Sequence, residues 1–161
     1  MTERGAEGTE IDLRLTRVLR KMVGEYFGSL ERDIDKYGLS TETFQILEFL
    51  YHKGPHPIQK ISDTFSIPSG SITYVIDKLE KKGFVERLPI PGDRRKTNVA
   101  LTGEGQRYFG DIFPKHAQTI ADNLSFATDE EKLELIRVLK KIGYGIKERA
   151  GDAHDSGSAS F

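Results

Sequence analysis

Residues 67–102 read IPSGSITYVIDKLEKKGFVERLPIPGDRRKTNVALT, and this stretch decides the fold. It opens with small polar residues, and apolar residues then recur at spacings of three and four, as they do in an amphipathic helix. Gly83 is expected to end this helix. Residues 84–88 and 98–101 are short and β-prone, and the prolines and glycine of residues 89–92 predict a turn between two strands. The inward-facing helix positions are Ile72, Val75, Ile76 and Leu79.

Three further helices are predicted on the N-terminal side of this stretch. An apolar stripe at steps of three and four covers residues 11–36. Ser40 is expected to cap a second helix over residues 41–52. Two prolines then break the chain, and the second, Pro57, suits the first position of a third helix over residues 58–65. The second helix is expected to bury Phe44, Ile46, Leu47 and Leu50.

Two helices are predicted on the C-terminal side. Thr102 caps one that runs to about Asn123, and residues 128–131 have the spacing of a capping box that opens another. Residues 1–9 and 150–161 are polar and are expected to be disordered. The fold class is therefore mainly α with a small β-wing. The long terminal helices carry more apolar surface than a small centre can cover, so we expect them to pack on a second copy of the chain.

The composition indicates a soluble globular protein. The chain has 161 residues, of which 30% are charged and 37% hydrophobic, which suits one domain with a real core. The absence of cysteine excludes disulfides, thiolate metal sites and thiol redox switches. The apolar runs are too short to span a membrane, and the first ten residues do not resemble a secretory signal, so a cytoplasmic location is expected.

The charge is unevenly distributed along the chain. Residues 53–100 hold nine Lys or Arg and five Asp or Glu, a local balance of +4, whereas the rest holds fifteen and twenty. The net charge of −1 therefore hides a basic middle. Because a polyanion responds to the local field, this middle segment is compatible with nucleic-acid binding.

The middle of the chain resembles the MarR-type winged helix-turn-helix transcription regulators. The matching pieces are IQKISDTFSIP, SGSITYVIDKLEKKGFVERL, GDRRKTNVALT and TGEGQRYF. The resemblance implies one domain over residues 10–149, in which residues 40–102 form a winged helix-turn-helix DNA-binding lobe. Residues 10–36 and 103–149 would supply dimerisation helices. It also implies a homodimeric repressor that binds a pseudo-palindromic operator in double-stranded DNA and is released by a small aromatic or phenolic effector.

The resemblance makes the helix over residues 69–82 the recognition helix, which offers small and polar side chains at its start. A major groove about 12 Å wide admits a helix only if its leading face is not bulky. Hydroxyl groups there reach phosphates or base edges, and the free N–H groups of the first turn attract a phosphate. The alternative is a capped surface helix whose hydroxyls face water. The residues expected to contact DNA are Ser69, Ser71, Thr73, Tyr74 and Lys78.

The turn of the hairpin carries a cluster of cations. The resemblance implies that Arg95 inserts into the minor groove and that Asp93 orients it, whereas Arg94 and Lys96 contact phosphates. An arginine in a narrow minor groove meets an enhanced negative potential. The alternative is an ordinary solvated charged turn. One departure from the family is Pro68, which has no side-chain oxygen, so Ser69 is expected to take over as N-cap.

An effector pocket is expected where the dimerisation helices meet the DNA-binding lobe, as the resemblance implies. His116 shares a helical face with several aromatic residues, and the alternative is a histidine of the core or of a dimer interface. No metal site or cofactor is expected, because prolines break the helical spacing of His52 and His56. The expected lining residues are Tyr26, Phe27, His52, Phe109, Phe113 and His116.

Two alternatives to a DNA-binding regulator are a protein–protein interaction module and an enzyme. A winged helix can serve as a protein–protein interaction module without binding DNA, since fold does not fix function. An enzyme would need a nucleophile paired with a base, a phosphate-binding loop or a dinucleotide-binding loop, and the sequence offers none of these. The chain is therefore expected not to be an enzyme.

Overall fold

The computed structural model describes residues 6–90 and 93–151, and it describes the side chains from residue 7 onward except those of residues 93–96. The described ranges contain six helices and a small antiparallel sheet, which confirms the predicted fold class. By their contacts, residues 1–120 and 121–161 form two compact units. The elements are α1 Ala6–Asp35, α2 Thr41–Lys53, β1 His56–Pro57, α3 Ile58–Phe65, α4 Ser69–Lys81, β2 Val85–Ile90, β3 Asp93–Leu101, α5 Gly103–Asn123 and α6 Asp129–Gly151.

The core of the first unit is built from the apolar faces of α2, α4 and α5. The predicted inward positions of α2 and α4 are all buried, which confirms both helical patterns. Phe109 and Ile112 of α5 join them, and Phe44 packs on Phe109 with ring centroids 5.1 Å apart. A buried apolar side chain contributes roughly 1.5–3 kcal/mol to stability, so this cluster fixes α4 firmly in the first unit.

The sheet has three antiparallel strands in the order β1-β3-β2. The prediction missed β1, because two residues that include a proline carry no strand pattern of their own. The strand exists because His56 and Pro57 pair with Val99 and Asn98 of β3. The prediction also placed Pro89 in the turn, but Pro89 pairs with Thr97 inside β2. An edge strand tolerates a proline, since the missing N–H can face outward.

The hairpin is longer than the sequence indicated. β2 ends at Ile90 and β3 begins at Asp93, which pairs with Ile90 after an irregularity in the register. Residues 93–96 were predicted to be part of the turn, and that was wrong for their backbone, which belongs to β3. Charged residues are poor local indicators of strand, so only pairing with β2 extends the strand this far.

The caps of α2, α3 and α4 show one prediction confirmed and two corrected. The Ser40 hydroxyl accepts a hydrogen bond from the Thr43 N–H at 3.2 Å and caps α2 as predicted. Pro57 occupies the N-cap of α3, not its first turn. Pro68 is the N-cap of α4, so the expected transfer of this role to Ser69 was wrong. The Pro68 carbonyl accepts from Ile72 N–H at 3.0 Å, which starts the helix without a side-chain cap.

A tight junction joins the end of α4, the start of β2 and the start of α5. Gly83 has φ 76° and ends α4 as predicted, while the Phe84 N–H donates to the Leu79 carbonyl at 3.0 Å. Thr102 caps α5 through its hydroxyl, which accepts from Gly105 N–H at 3.0 Å and donates to the Gly83 carbonyl at 2.5 Å. A Cβ on Gly105 would lie 2.0 Å from the Phe84 carbonyl oxygen. Only glycine therefore fits this contact.

The terminal helices differ from prediction mainly at their ends. α1 begins at Ala6, so residues 6–9 are helical although they were expected to be disordered. The predicted capping box is confirmed, since Thr128 N–H donates to Glu131 Oε2 at 2.8 Å and Glu131 N–H donates to Thr128 Oγ1 at 3.2 Å. α6 extends to Gly151. The rest of the predicted tail, residues 152–161, lies outside the described residues.

Candidate nucleic-acid interface

The outer face of α4 presents the polar side chains that were predicted to contact DNA. Ile72, Val75, Ile76 and Leu79 anchor the opposite face in the core. The predicted contact residues, all of them exposed, are Ser69, Ser71, Thr73, Tyr74 and Lys78. The structure therefore places all five on the surface of one helix, with a packed core behind them.

The five residues divide into two rows. Ser69 and Thr73 lie one turn apart, and the Thr73 hydroxyl donates to the Ser69 carbonyl at 2.9 Å. With its proton used inside the helix, that hydroxyl is left to accept hydrogen bonds. Ser71, Tyr74 and Lys78 form the second row, at spacings of three and four. Tyr74 is 68% exposed, which is unusual for an aromatic side chain without a partner surface.

The second row borders a groove between α4 and the first turn of α2. This concave surface is open to solvent and has a volume of about 400 Å³. Its α2 side includes Ser40, Glu42 and Thr43, which the sequence did not single out as site residues. The helix cap at Ser40 was the only available signal for them. The structure thus brings the second row and the start of α2 together at one groove.

The wing is the hairpin of β2 and β3, and it contacts α4 through Arg87 of β2. Arg87 Nη2 donates to Asp77 Oδ1 at 2.5 Å, and Nη1 donates to Glu80 Oε2. Asp77 and Glu80 both lie on α4. Arg87 is one of the nine cations of residues 53–100, and it contacts two carboxylates of the same segment directly. The predicted wing contacts Asp93, Arg94, Arg95 and Lys96 lie on β3, and their side chains fall outside the described residues.

Four of the predicted effector-pocket residues lie in one aromatic cluster between α2 and α5. The ring of His52 lies 4.7 Å from that of Phe113, and Phe109 stacks 5.9 Å from Phe113. His116 packs 4.5 Å from Phe44. The cluster also includes Tyr51, 5.3 Å from Phe109, which the sequence reasoning left out.

The other two predicted pocket residues lie on α1. Tyr26 and Phe27 contact each other, with ring centroids 5.4 Å apart. Phe27 is 55% exposed, whereas Phe109 is fully buried and His116 is 4% exposed. In this conformation His52 and Phe113 form the accessible edge of the cluster, and the inner rings behave as core.

His116 is paired with a buried carboxylate that the sequence reasoning missed. His116 Nδ1 and Asp33 Oδ2 are 2.8 Å apart, and both side chains are 5% exposed. Burial acts to raise the pKa of Asp33, but hydrogen bonds from His116, Lys36 and Thr119 outweigh it and lower the pKa below its usual value. Burial and the nearby Asp33 carboxylate raise the pKa of Tyr37. An acidic residue inside the apolar stripe of α1, beside Ile34, was the available signal.

Comparison with known proteins identifies the family. A sequence model described as the MarR family matches residues 39–97. The chain is 40% identical over 140 residues to the HTH-type transcriptional regulator MhqR of Bacillus subtilis, covering 87% of this chain and 97% of that protein. The chain belongs to the MarR family. It is a transcriptional regulator of this family, as the sequence predicted. Regulators of this family are not enzymes.

Solved structures share the MarR fold with this chain. A mutant MarR from E. coli, complexed with operator DNA, superposes with a TM-score of 0.68 at 24% identity, covering 80% of this chain and 93% of that one. BpsR from Bordetella bronchiseptica, described by the regulation of its DNA binding by 6-hydroxynicotinic acid, has a TM-score of 0.67 at 20% identity, covering 81% and 98%. At these identities the likeness shows the fold alone.

None of the helices in residues 6–90 and 93–151 has a stretch apolar and long enough to traverse a bilayer. Within the same ranges, His, Asp and Glu side chains do not gather in threes at metal-binding distances.

Proposed function

We propose that this MarR-family chain is a homodimeric regulator that binds a specific DNA sequence by inserting α4 into the major groove. The observation that carries the proposal is the exposed face of α4. Five polar side chains stand on it above a fully packed core, and its leading turn holds only Ser69, Gly70 and Ser71. A helix with small residues at its tip fits a groove about 12 Å wide.

Surface on the terminal helices supports a dimer. No residue of α6 is buried within the chain, although α6 carries a row of large apolar side chains. Leu133 and Ile146 of this row are 67% and 64% exposed, and Ile11 of α1 is 66% exposed. A soluble monomer rarely exposes so much apolar surface, so a second copy is the natural partner. Two α4 helices would then meet successive major grooves about 34 Å apart.

The wing is proposed to supply the minor-groove contact. Arg95 lies near the start of β3, next to the end of the hairpin. We expect Arg95→Ala to weaken operator binding at least tenfold while the dimer stays intact, because one arginine in a narrow minor groove meets a strongly negative potential. A gel-shift titration measures the affinity, and light scattering checks the dimer. Unchanged affinity would reject the wing assignment.

A small aromatic ligand is proposed to release the DNA, and the regulator is proposed to repress. The support is the aromatic cluster between α2 and α5, whose edge at His52 and Phe113 is open. The described effector of the BpsR structure is likewise a small aromatic acid. A ligand that opened the cluster would bind one arrangement of α2 and α5 better than the other and so shift DNA affinity. Titration of phenols and aromatic acids into the preformed complex tests this.

A further inference from the structure

The surroundings of the Arg87 guanidinium differ from those expected of a cation that contacts DNA. Its guanidinium contacts two carboxylates at once, Asp77 and Glu80, which lie three residues apart on one face of α4. The Arg87 side chain is 27% exposed, less than either of its partners. Two negative charges outweigh its single positive charge, so this site offers no net attraction to a phosphate.

The backbone position of Arg87 makes this contact a link between two elements. Arg87 pairs with Val99 in the middle of the β2–β3 ladder, and Val99 is completely buried. Neighbours Glu86 and Leu88 are exposed, as the alternation of a strand requires. The Arg87 side chain extends from the centre of the wing to the C-terminal half of α4, where Asp77 and Glu80 lie.

The planar guanidinium fixes geometry better than a point charge would. Its N–H groups form a rigid fork, and each arm donates to a different carboxylate. Ion pairs this exposed contribute little to folding stability. The effect of this contact is therefore expected in the position of the wing, with only a small change in the melting temperature.

We propose that Arg87 is a positioning residue that sets where the wing stands relative to the recognition helix, and thereby the choice of DNA sequence. The inference rests on the proposed DNA-binding function. If α4 reads the major groove while the hairpin reads the adjacent minor groove, their separation must match that of the two grooves. Arg87 would hold this separation.

The test compares Arg87→Gln and Arg87→Lys with wild type and with a matched control, Arg137→Gln. Arg137 also forms an exposed pair with a carboxylate, Glu134, but on α6. Binding is measured at several salt concentrations, both to the duplex that wild type selects from a random pool and to random duplex. For Arg87→Gln we expect preference for the selected duplex to fall roughly tenfold, about the discrimination of one good base contact, with the salt slope unchanged.

The lysine variant distinguishes a positioning role of Arg87 from a phosphate contact. Lysine keeps the charge but cannot span both carboxylates with a planar fork, so Arg87→Lys should also lose sequence preference. Restoration of wild-type binding by lysine, or a salt slope lower by about 0.9 unit with preference retained, would identify a phosphate contact and overturn the inference. Wild-type behaviour of Arg87→Gln would overturn it too. Arg137→Gln should match wild type throughout.

A DNA-free measurement distinguishes failure of this inference from failure of the proposed function. Hydrogen exchange at the amides of β2 and β3 should be faster in Arg87→Gln than in wild type or Arg137→Gln, because the wing has lost its attachment to α4. If wild type bound no duplex at all, the proposed function would fall, and unchanged exchange in Arg87→Gln would refute the attachment independently.

Discussion

At the scale of single residues, the pair Asp33–His116 is the main polar contact inside the first unit. It joins α1 to α5, and His116 also packs on Phe44 of α2. Three elements therefore meet at two side chains that are nearly inaccessible to solvent. Removing one member of such a pair leaves the other buried without its partner, which is more damaging than the pair is stabilising.

The first prediction concerns Asp33. Asp33→Ala should lower the free energy of unfolding by about 1–3 kcal/mol at neutral pH, because His116 Nδ1 stays buried and loses its hydrogen-bond partner. A urea titration followed by circular dichroism measures the change. Lys36→Ala is the matched control, since Lys36 also contacts Asp33 but its side chain is 71% exposed. A loss no greater than in the control would contradict the role assigned to the pair.

The same pair predicts a pH dependence. The pKa of Asp33 is lowered in the folded state, so its carboxylate contributes stability above its usual value of 3.8. That contribution is lost as the pH falls below 3.8 through the folded-state value. The difference in unfolding free energy between wild type and Asp33→Asn should therefore shrink across this acidic range. A difference that stayed constant down to the acid transition would count against the assignment.

Gly105 gives the second residue-scale prediction. A methyl group there would overlap the Phe84 carbonyl, so Gly105→Ala should destabilise the fold by about 1–3 kcal/mol. Gly110 lies on the same helix, but a Cβ would be 3.6 Å from the Tyr51 hydroxyl, an ordinary contact. Gly110→Ala should therefore be neutral or stabilise by up to about 1 kcal/mol. Thermal unfolding of the two variants compares them directly, and equal effects would refute the close contact.

At the scale of elements, the helices were predictable because their periodicity is local. The inward faces of α2 and α4 and the caps at Ser40, Gly83 and Thr102 followed from residue type and spacing. β1 was not, since it depends on pairing with β3, which is distant in sequence. The extended start of β3 was not either, since its charged residues indicate no strand and only pairing with β2 extends it. The partners of Arg87 and His116 were missed for the same reason, as they lie 10 and 83 residues away.

Lys78 carries the prediction for the recognition helix. It is exposed in the last turns of α4, on the row that includes Ser71 and Tyr74. If it contacts a phosphate, Lys78→Gln should weaken binding to operator and random duplex alike and reduce the salt slope by about 0.9 unit. Lys115→Gln on α5 removes the same charge outside the proposed interface. A slope equal to that of wild type would remove Lys78 from the DNA contacts.

At the scale of the whole molecule, the terminal helices expose rows of large apolar side chains. The exposed apolar residues of α6 include Leu133, Ile136, Leu139, Ile142 and Ile146. Replacing Leu133 and Ile136 together by Glu should yield a folded monomer at micromolar concentration, because two charges would be buried in the proposed interface. Sedimentation velocity measures the mass, and Lys141→Glu, an exposed position of the same helix, is the control. A double variant that remained dimeric would exclude this face of α6.

Selection of duplexes from a random pool tests the central claim most directly, when the stoichiometry of the selected complex is measured as well. If two copies of α4 face one DNA, the enriched sequences should form an inverted repeat with half-sites about one helical turn apart, and two chains should bind each duplex. Enrichment of an asymmetric site by a single chain would contradict the account, as would the absence of any enrichment at low salt.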